Sequence, residues 1–441
     1  MAYKIGMVSL GCPKNQVDAE IMLAKLKKEG YEITADSGTA DLVIVNTCGF
    51  IEDAKRESID NILEFAQLKK EGQIQKIIVT GCLAERYRRE LAAEMPECDG
   101  VLGLGANNDI VETVLKIFDG AKEIRFPDKS CWKLDGERLL TTPSYYAYLR
   151  IGDGCDNRCN YCAIPLIRGD LQNRAMDSIL EEAAALAQNG VRELILVAQD
   201  TTAYGVKETG KSQLPELLRR LCEIPKLYWI RLLYCYPQHI TDEFLTVIRE
   251  QDKIVKYLDI PLQHVSGHIL AAMNRSGDAE SLRHLILHIR KSVPGIVLRT
   301  TVMTGFPGET EDDFEELCNY IKEMKFERLG CFAFSPEEGT PASAFLDQLE
   351  PDEKNRRRDL IMELQSRIMD QYNRDRVGKT IEVLVEGYDR YAECWFGRSA
   401  ADAPDIDCKV FFTTNKEVKT GNFAQVQIID VMDWDLIGEL V

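Results

Sequence analysis

The sequence predicts an α/β multidomain protein. It begins with an N-terminal parallel α/β domain, continues as an open (β/α)6 TIM-like barrel, and ends in a small antiparallel, OB-like β-barrel. Three observations carry this. Short β-rich apolar runs alternate with helical stretches through most of the chain, the pattern of parallel sheets with helical crossovers. After about Asp375 the period changes to two, with Gly and Asp-Ala-Pro turns between short strands. A length of 441 residues is too great for one compact core. The expected units are residues 1–130, 140–372 and 375–441.

In the first unit, three strand-like runs each lead into a cysteine. Tyr3 to Leu10 leads to Cys12, Asp41 to Val45 to Cys48, and Lys76 to Val79 to Cys82. Gln16 to Glu29 and Ala54 to Lys70 read as the helices between them. In a parallel sheet the carboxyl ends of the strands lie along one edge, where ligands bind. Cysteines 36 and 34 residues apart in sequence should therefore converge in space. Three sulfur ligands suit an iron–sulfur cluster with one open iron. The alternative is that each is a small core hydrophobe, which does not explain a cysteine past three successive strands. Cys98 and Cys131 fall off the pattern and are expected to be structural.

The second unit carries six β-like runs: Tyr145 to Gly152, Glu193 to Asp200, Trp229 to Cys235, Tyr257 to Gln263, Leu298 to Gly305 and Arg328 to Phe334. Ser178 to Asn189 and Asp242 to Gln251 read as helices. Six units fall short of the eight of a closed TIM barrel and leave room at the side for a large substrate. After the first run comes Cys155-Asp156-Asn157-Arg158-Cys159-Asn160-Tyr161-Cys162, a C-x3-C-x2-C pattern. Four cysteines would close a tetrahedral site, whereas three on a cubane leave an iron free to bind a second molecule. Zinc is the alternative occupant, though structural zinc usually takes two separate knuckles. Other strand ends are polar. Gln199 and Asp200 end the second run, Arg299 lies in the fifth, and Gly305 closes it. Polar groups there could hold a small cofactor. His264 is read as structural ahead of catalytic, and His284 and His288 as a solvated helix face rather than a metal pair. Cys222, Cys235, Cys318 and Cys331 have no partner at ligand spacing. Asp352 to Asn373 reads as a charged helix, and its Arg356-Arg357-Arg358 run as a solvated face.

Lys and Arg number 54 against 72 Asp and Glu, a formal net charge of −18. Such a chain has no general attraction for phosphate backbones. The last unit has seven Lys and Arg against thirteen Asp and Glu, a balance of −6. An RNA-binding barrel should show a basic stripe, so direct RNA binding is less expected than capture of a basic protein by acids such as Asp402, Asp405 and Asp407. Fourteen cysteines with no signal peptide and no apolar run able to span a bilayer point to a cytoplasmic protein with reduced thiols and no membrane partner.

The C-x3-C-x2-C spacing, with aromatic Tyr161 before the last cysteine, resembles that of the radical S-adenosylmethionine (SAM) enzymes. The three units in this order resemble the methylthiotransferase family of those enzymes. The matching stretches include Ser9-Leu10-Gly11-Cys12-Pro13-Lys14-Asn15, Asn46-Thr47-Cys48-Gly49-Phe50 and Gly154-Cys155-Asp156-Asn157-Arg158-Cys159. Further matches are Ala198-Gln199-Asp200-Thr201-Thr202, Asp259-Ile260-Pro261-Leu262-Gln263-His264 and Gly305-Phe306-Pro307-Gly308-Glu309-Thr310. In the tail, Gly397-Arg398-Ser399 and Asp402-Ala403-Pro404 also match. The chain departs from the family at Asp170-Leu171-Gln172-Asn173 before Arg174, and at Cys408, where glycine is more usual.

The resemblance implies a radical SAM barrel and a TRAM-type tail barrel. It implies two 4Fe–4S clusters, one on Cys12, Cys48 and Cys82 and one on Cys155, Cys159 and Cys162. It implies SAM used twice, once as methyl donor and once as radical source. Tyr161, Gln199, Asp200, Arg299 and Gly305 are the expected cofactor-binding residues. Within the family, the chain is similar to the branch that methylthiolates an aspartate of small-subunit ribosomal protein twelve, a basic partner; an electron donor is also required. A carbon radical suits this task, because no side-chain base removes a hydrogen from an unactivated carbon. Two other readings stay open: the sibling branch acting on adenosine in tRNA, and a non-catalytic metal-binding module.

Overall fold

Apolar runs rich in β-branched residues build the first sheet. The computed structural model describes residues 3–129 and 132–441; Cys131 lies outside the described residues. β1 (Lys4–Ser9), β2 (Glu32–Thr34), β3 (Leu42–Thr47), β4 (Lys76–Gly81), β5 (Gly100–Leu102) and β6 (Glu123–Arg125) pair in parallel in the order β2-β1-β3-β4-β5-β6. The order reverses between β1 and β3, the switch point where such sheets bind ligands. β3 is buried at every residue, as a central strand covered on both faces must be. The helix Pro13–Lys28 starts on a proline and ends with Lys25, Lys27 and Lys28 at the negative end of its dipole. Strands β2, β5 and β6 have three residues each, too few for a readable period, and the sequence analysis does not find them.

The central unit starts with β7 (Tyr146–Arg150). A two-residue ribbon of β8 (Gly152–Asp153) and β9 (Gln172–Asn173) follows. Then come β10 (Glu193–Val197), β11 (Trp229–Leu232), β12 (Ile254–Asp259), β13 (Val297–Thr304) and β14 (Arg328–Ala333). The barrel strands are all parallel, in the order β14-β13-β12-β11-β10-β7, and the sheet does not close. The fourth strand starts three residues and ends four residues earlier than its hydrophobicity indicates. Pro261 has no N–H for the ladder, and Gln263 turns into the left-handed region at φ 71°.

Side chains alternate across this sheet. Ala147, Leu149, Leu194, Leu196, Ile230 and Leu232 pack outward under the helices. Tyr146, Tyr148, Ile195, Val197, Trp229 and Tyr257 form a second, inner cluster. Free carbonyls on edge strand β7 find side-chain donors. Arg138 donates to the Tyr148 carbonyl at 2.5 Å and Arg174 to the Arg150 carbonyl at 2.7 Å. The edge is thereby closed to further strand pairing.

The long helix Pro351–Arg374 packs on β14, with Gln365 donating to the Phe326 carbonyl at 2.9 Å. Its Arg run is not uniformly solvated. Arg357 is buried and paired with Glu309, Glu311 and Glu353, while Arg356 is half exposed. A run of three places one residue in three on the inner face of a helix.

The tail forms a closed barrel of β15 (Thr380–Asp389), β16 (Cys394–Ser399), β17 (Val410–Thr413), β18 (Phe423–Met432) and β19 (Asp435–Leu440). Its order is β15-β16-β17-β19-β18, antiparallel except for β17 with β19. Asp402 and Asp407, expected on a solvated rim, are buried against the central barrel. Asp402 accepts from Arg328 at 2.5 Å, and Asp407 accepts from the Tyr257 hydroxyl at 2.6 Å. Arg398 donates to Glu193 at 2.7 Å, and Glu193 also accepts from Arg231 at 2.7 Å. Of the three acids only Asp405 is exposed. A charge count does not separate rim acids from acids spent inside. The tail therefore plugs the amino end of the central barrel with paired charges, and cutting the chain near residue 375 would strip partners from Glu193, Arg328 and Tyr257.

Removing one member of such a pair leaves the other buried and uncompensated. Asp402→Ala is expected to lower unfolding free energy by about 3–5 kcal/mol in a denaturant titration. Burial opposes ionisation of Asp402, but Arg328, Arg376 and Ser399 outweigh it and hold the carboxyl below its ordinary value. Its stabilisation is thus complete above roughly pH 4 and is lost as pH falls through the lowered folded value. The Ala variant should lack that acid-side loss; an unchanged acid profile would contradict the pairing.

Candidate active site

Three strand ends deliver Cys12, Cys48 and Cys82 to one place. Cys12 follows β1 and precedes the helix Pro13–Lys28, Cys48 follows β3, and Cys82 opens the helix Cys82–Glu94 after β4. The loops press on each other. A Cβ on Gly11 would lie 2.8 Å from the Cys48 sulfur, and one on Gly49 would lie 2.8 Å from the backbone of Leu83, next to Cys82. Only glycine allows these approaches. Burial pushes the Cys48 thiol up, and the Cys82 thiol up to about 12. Burial would raise Cys12 too, but Lys14, Arg168 and the amides of Asn15 and Lys14 bring it below its ordinary value. Arg168 also donates to the Cys82 sulfur at 3.4 Å. Cations and helix N-terminal amides around sulfur favour thiolate.

Cys155, Cys159 and Cys162 share one loop, in which Arg158 takes φ 52° and the Cys162 amide donates to the Cys159 carbonyl at 3.0 Å. Burial pushes Cys155 to about 11 and Cys162 to about 12, against the amides of Asn157 and Ile164. The departure segment supports this loop. Asp170 pairs with Arg158, and the Leu171 amide donates to Asp156 at 3.0 Å.

Both triads border one junction. Cys82 packs with Ala163 and Ile167, just past Cys162, and with Leu104, Trp132 and Leu134. Arg168 bridges Asp153 of the central barrel at 2.7 Å and Asp18 of the first domain at 3.1 Å. Lys14 stands 3.6 Å from the Tyr234 ring centroid. Glu337, beyond β14, pairs with Lys55 at 3.1 Å and Arg86 at 2.8 Å.

Each triad offers sulfur donors alone, ringed by amides and cations, a set that suits a 4Fe–4S cluster. Among the described residues no three His, Cys, Asp or Glu side chains gather around a single ion position. Ligands of a cubane go to different irons and need not converge as the ligands of one zinc do.

The expected cofactor residues are placed unequally. Tyr161 packs against the cluster of Phe306 and Phe334, and its hydroxyl meets Arg275 at 3.4 Å. Gln199 donates to Asp153 at 2.7 Å, and among the described residues its buried carbonyl oxygen has no partner. Asp200 is committed: it accepts from Asn157, His239, Thr202 and the Ala203 amide. Arg299 points into the barrel, donating to Asp259 at 3.0 Å with Asp407 at 3.7 Å, so it is not brought to the carboxyl-end mouth. The Gly305 amide is spent on Glu309 at 2.7 Å. His264 is fully buried, and burial pushes it down to about 4, which keeps it neutral. His284 and His288 are exposed.

Comparison with known proteins accounts for all three units. Family models match the uncharacterized protein family UPF0004 over residues 4–103, the radical SAM superfamily over 149–321 and the TRAM domain over 377–441. A ribosomal protein uS12 methylthiotransferase RimO of Pelotomaculum thermopropionicum is 49% identical over all of both chains. Proteins of the same name from Thermoanaerobacter sp. (strain X514) and Clostridioides difficile are 47% and 45% identical, each over 99% of both chains. The chain belongs to the RimO family of methylthiotransferases. Among solved structures, the radical SAM methyltransferase TsrM of Kitasatospora setae shares the fold, with TM-score 0.58 and 15% identity over 78% of this chain and 77% of that one.

Sequence reasoning missed four polar residues that the structure places around the two cysteine triads. Lys14 sits two residues after Cys12 and was open to notice as a cation beside a ligand. Arg168 ends the helix after Cys162, and its reach to Cys82 depends on the domain contact. His239, whose Nδ1 lies 2.9 Å from Asp200, and Arg275 come from loops distant in sequence, with no local motif to mark them.

Proposed function

We propose that this chain adds a methylthio group to the β-carbon of an aspartate in small-subunit ribosomal protein uS12, the basic partner. In this reading Cys12, Cys48 and Cys82 hold one 4Fe–4S cluster, Cys155, Cys159 and Cys162 a second, and two SAM molecules are used per product. The chain divides into a cluster domain (1–130), a radical SAM barrel (140–372) and a TRAM domain (375–441), and it works in the cytoplasm with a low-potential electron donor. The observation that supports the reading is the contact between the segment that follows Cys162 and the first triad, where Ala163 and Ile167 pack with Cys82 and Arg168 donates to its sulfur at 3.4 Å.

When bound, these groups supply a seat for the transferred sulfur and a carbon radical able to take an unactivated hydrogen, chemistry no side-chain acid or base offers. The chain does the rest. Lys14 and Arg168 offset negative charge at the first triad. Trp132, Leu134 and Ile167 pack with Cys82 and Ala163 and shut water out of that contact. The Glu337 pairs with Lys55 and Arg86 hold the two domains together, fixing the distance between reacting groups. Tyr161 and the Gln199 carbonyl oxygen would hold SAM, with Asp200 and Gly305 supporting the walls around it and Arg299 bracing the barrel interior through Asp259.

The test is anaerobic incubation of the reconstituted enzyme with SAM, reductant and a sulfide source, offering uS12 or tRNA. Mass spectrometry should find methylthiolated aspartate in uS12 and unmodified tRNA. Methylthiolated adenosine with untouched uS12 would move the chain to the sibling activity.

A further inference from the structure

We infer that Arg275 tunes the barrel triad: its guanidinium, fixed beside the Cys159 sulfur, raises the potential at which a cluster on that triad accepts an electron. The inference rests on the cluster reading above. Arg275 is buried, with 8% of its surface exposed. One guanidinium nitrogen lies 3.8 Å from the Cys159 sulfur and 3.4 Å from the Tyr161 hydroxyl. The other donates to the Pro261 carbonyl at 2.7 Å, and the Tyr236 ring centroid is 4.4 Å from the guanidinium carbon.

What sets Arg275 apart is its missing counterion. Among the described residues, every other buried arginine, from Arg150 to Arg398, pairs with at least one carboxylate. Among the described residues Arg275 makes no such pair within 4 Å; its neighbours are a thiol, phenol groups and a carbonyl. An uncompensated buried cation is strongly destabilising. Thiolates on an anionic cluster would supply the negative charge that the protein omits there.

The turn carrying Arg275 also grips the cysteine loop. Asn160 donates through its amide to the Met273 carbonyl at 3.0 Å and through its side chain to the Ala272 carbonyl at 2.8 Å. Asn274 donates to the Arg158 carbonyl at 2.9 Å. The cation is therefore held in register with Cys159.

Reduction adds one negative charge to a cluster. A cation this close, shielded from water, stabilises the reduced form more than the oxidised one, and hydrogen bonds to sulfur act in the same direction. The electron comes from a low-potential one-electron donor, dithionite in the test; Arg275 gives up no proton and breaks no bond.

The experiment is an EPR-monitored redox titration of full-length reconstituted wild type, Arg275→Gln and Arg275→Lys, with iron and sulfide measured on each. At the potential that half-reduces the SAM-responsive cluster of wild type, the Gln variant should show a reduced-to-oxidised ratio about tenfold lower, which is 59 mV for a one-electron couple. The Lys variant, keeping the charge, should stay close to wild type, and the other cluster should not move. Loss of barrel iron in the Gln variant but not in the Lys variant would also support charge compensation. Wild-type ratios in both variants, equal shifts in both clusters, or iron loss in both variants would overturn the inference. Absence of any SAM-responsive cluster signal in wild type would instead sink the cluster reading beneath it.

Discussion

Replacing Cys12, Cys48 and Cys82 together with alanine is expected to separate two activities. Methylthiolated uS12 should fall below detection, while reductive cleavage of SAM to 5′-deoxyadenosine continues. The triad sits on strand ends of the first sheet, and the barrel loop is held by its own contacts through Asn160, Asn274 and Asp170. Loss of the first triad therefore leaves the second in place. Cysteine and alanine are close in size, so the packing of Cys82 among Leu104, Trp132 and Ile167 should suffer little. The readouts are mass spectrometry of uS12 and chromatography of the nucleoside product. Product formation by the triple variant would show that these cysteines are structural.

The complementary replacement of Cys155, Cys159 and Cys162 should remove about half of the bound iron and sulfide, by ligand count. It should abolish SAM cleavage as well as methylthio transfer, because the radical source is gone. The remaining iron should stay with the first triad, whose cations Lys14 and Arg168 are untouched. Metal analysis and product assay check both statements. A variant that keeps its full iron would remove the second triad from the account.

Both triads were legible in the sequence for different reasons. Cys155, Cys159 and Cys162 are local, and their spacing is a motif by itself. Cys12, Cys48 and Cys82 became readable through the rule that parallel strands end on one edge, and the 2.8 Å approach of a Gly11 Cβ to the Cys48 sulfur gives that rule its physical form. The order of domains was equally readable, since the change of hydrophobic period near residue 375 marks a real change of architecture.

What the sequence hid was pairing. Asp402 and Asp407 look the same in a charge count as Asp405, yet the first two are buried against Arg328 and Tyr257. Arg299, Asp200 and Gly305 lie in the right stretches, but their polar groups are spent on Asp259, His239 and Glu309. Arg357 disappears into the protein between two more exposed arginines. Each of these depends on which element packs opposite, and no window along one chain contains that element.

The central claim is that uS12 is the substrate, and one measurement tests it most directly. Ribosomal protein uS12 is isolated from cells with and without the gene for this chain, and its peptides are compared by mass spectrometry. The account predicts one aspartate heavier by a methylthio group in the first sample and unmodified in the second. The same modified aspartate in both samples, or in neither while tRNA adenosine loses its methylthio group with the gene, would contradict it.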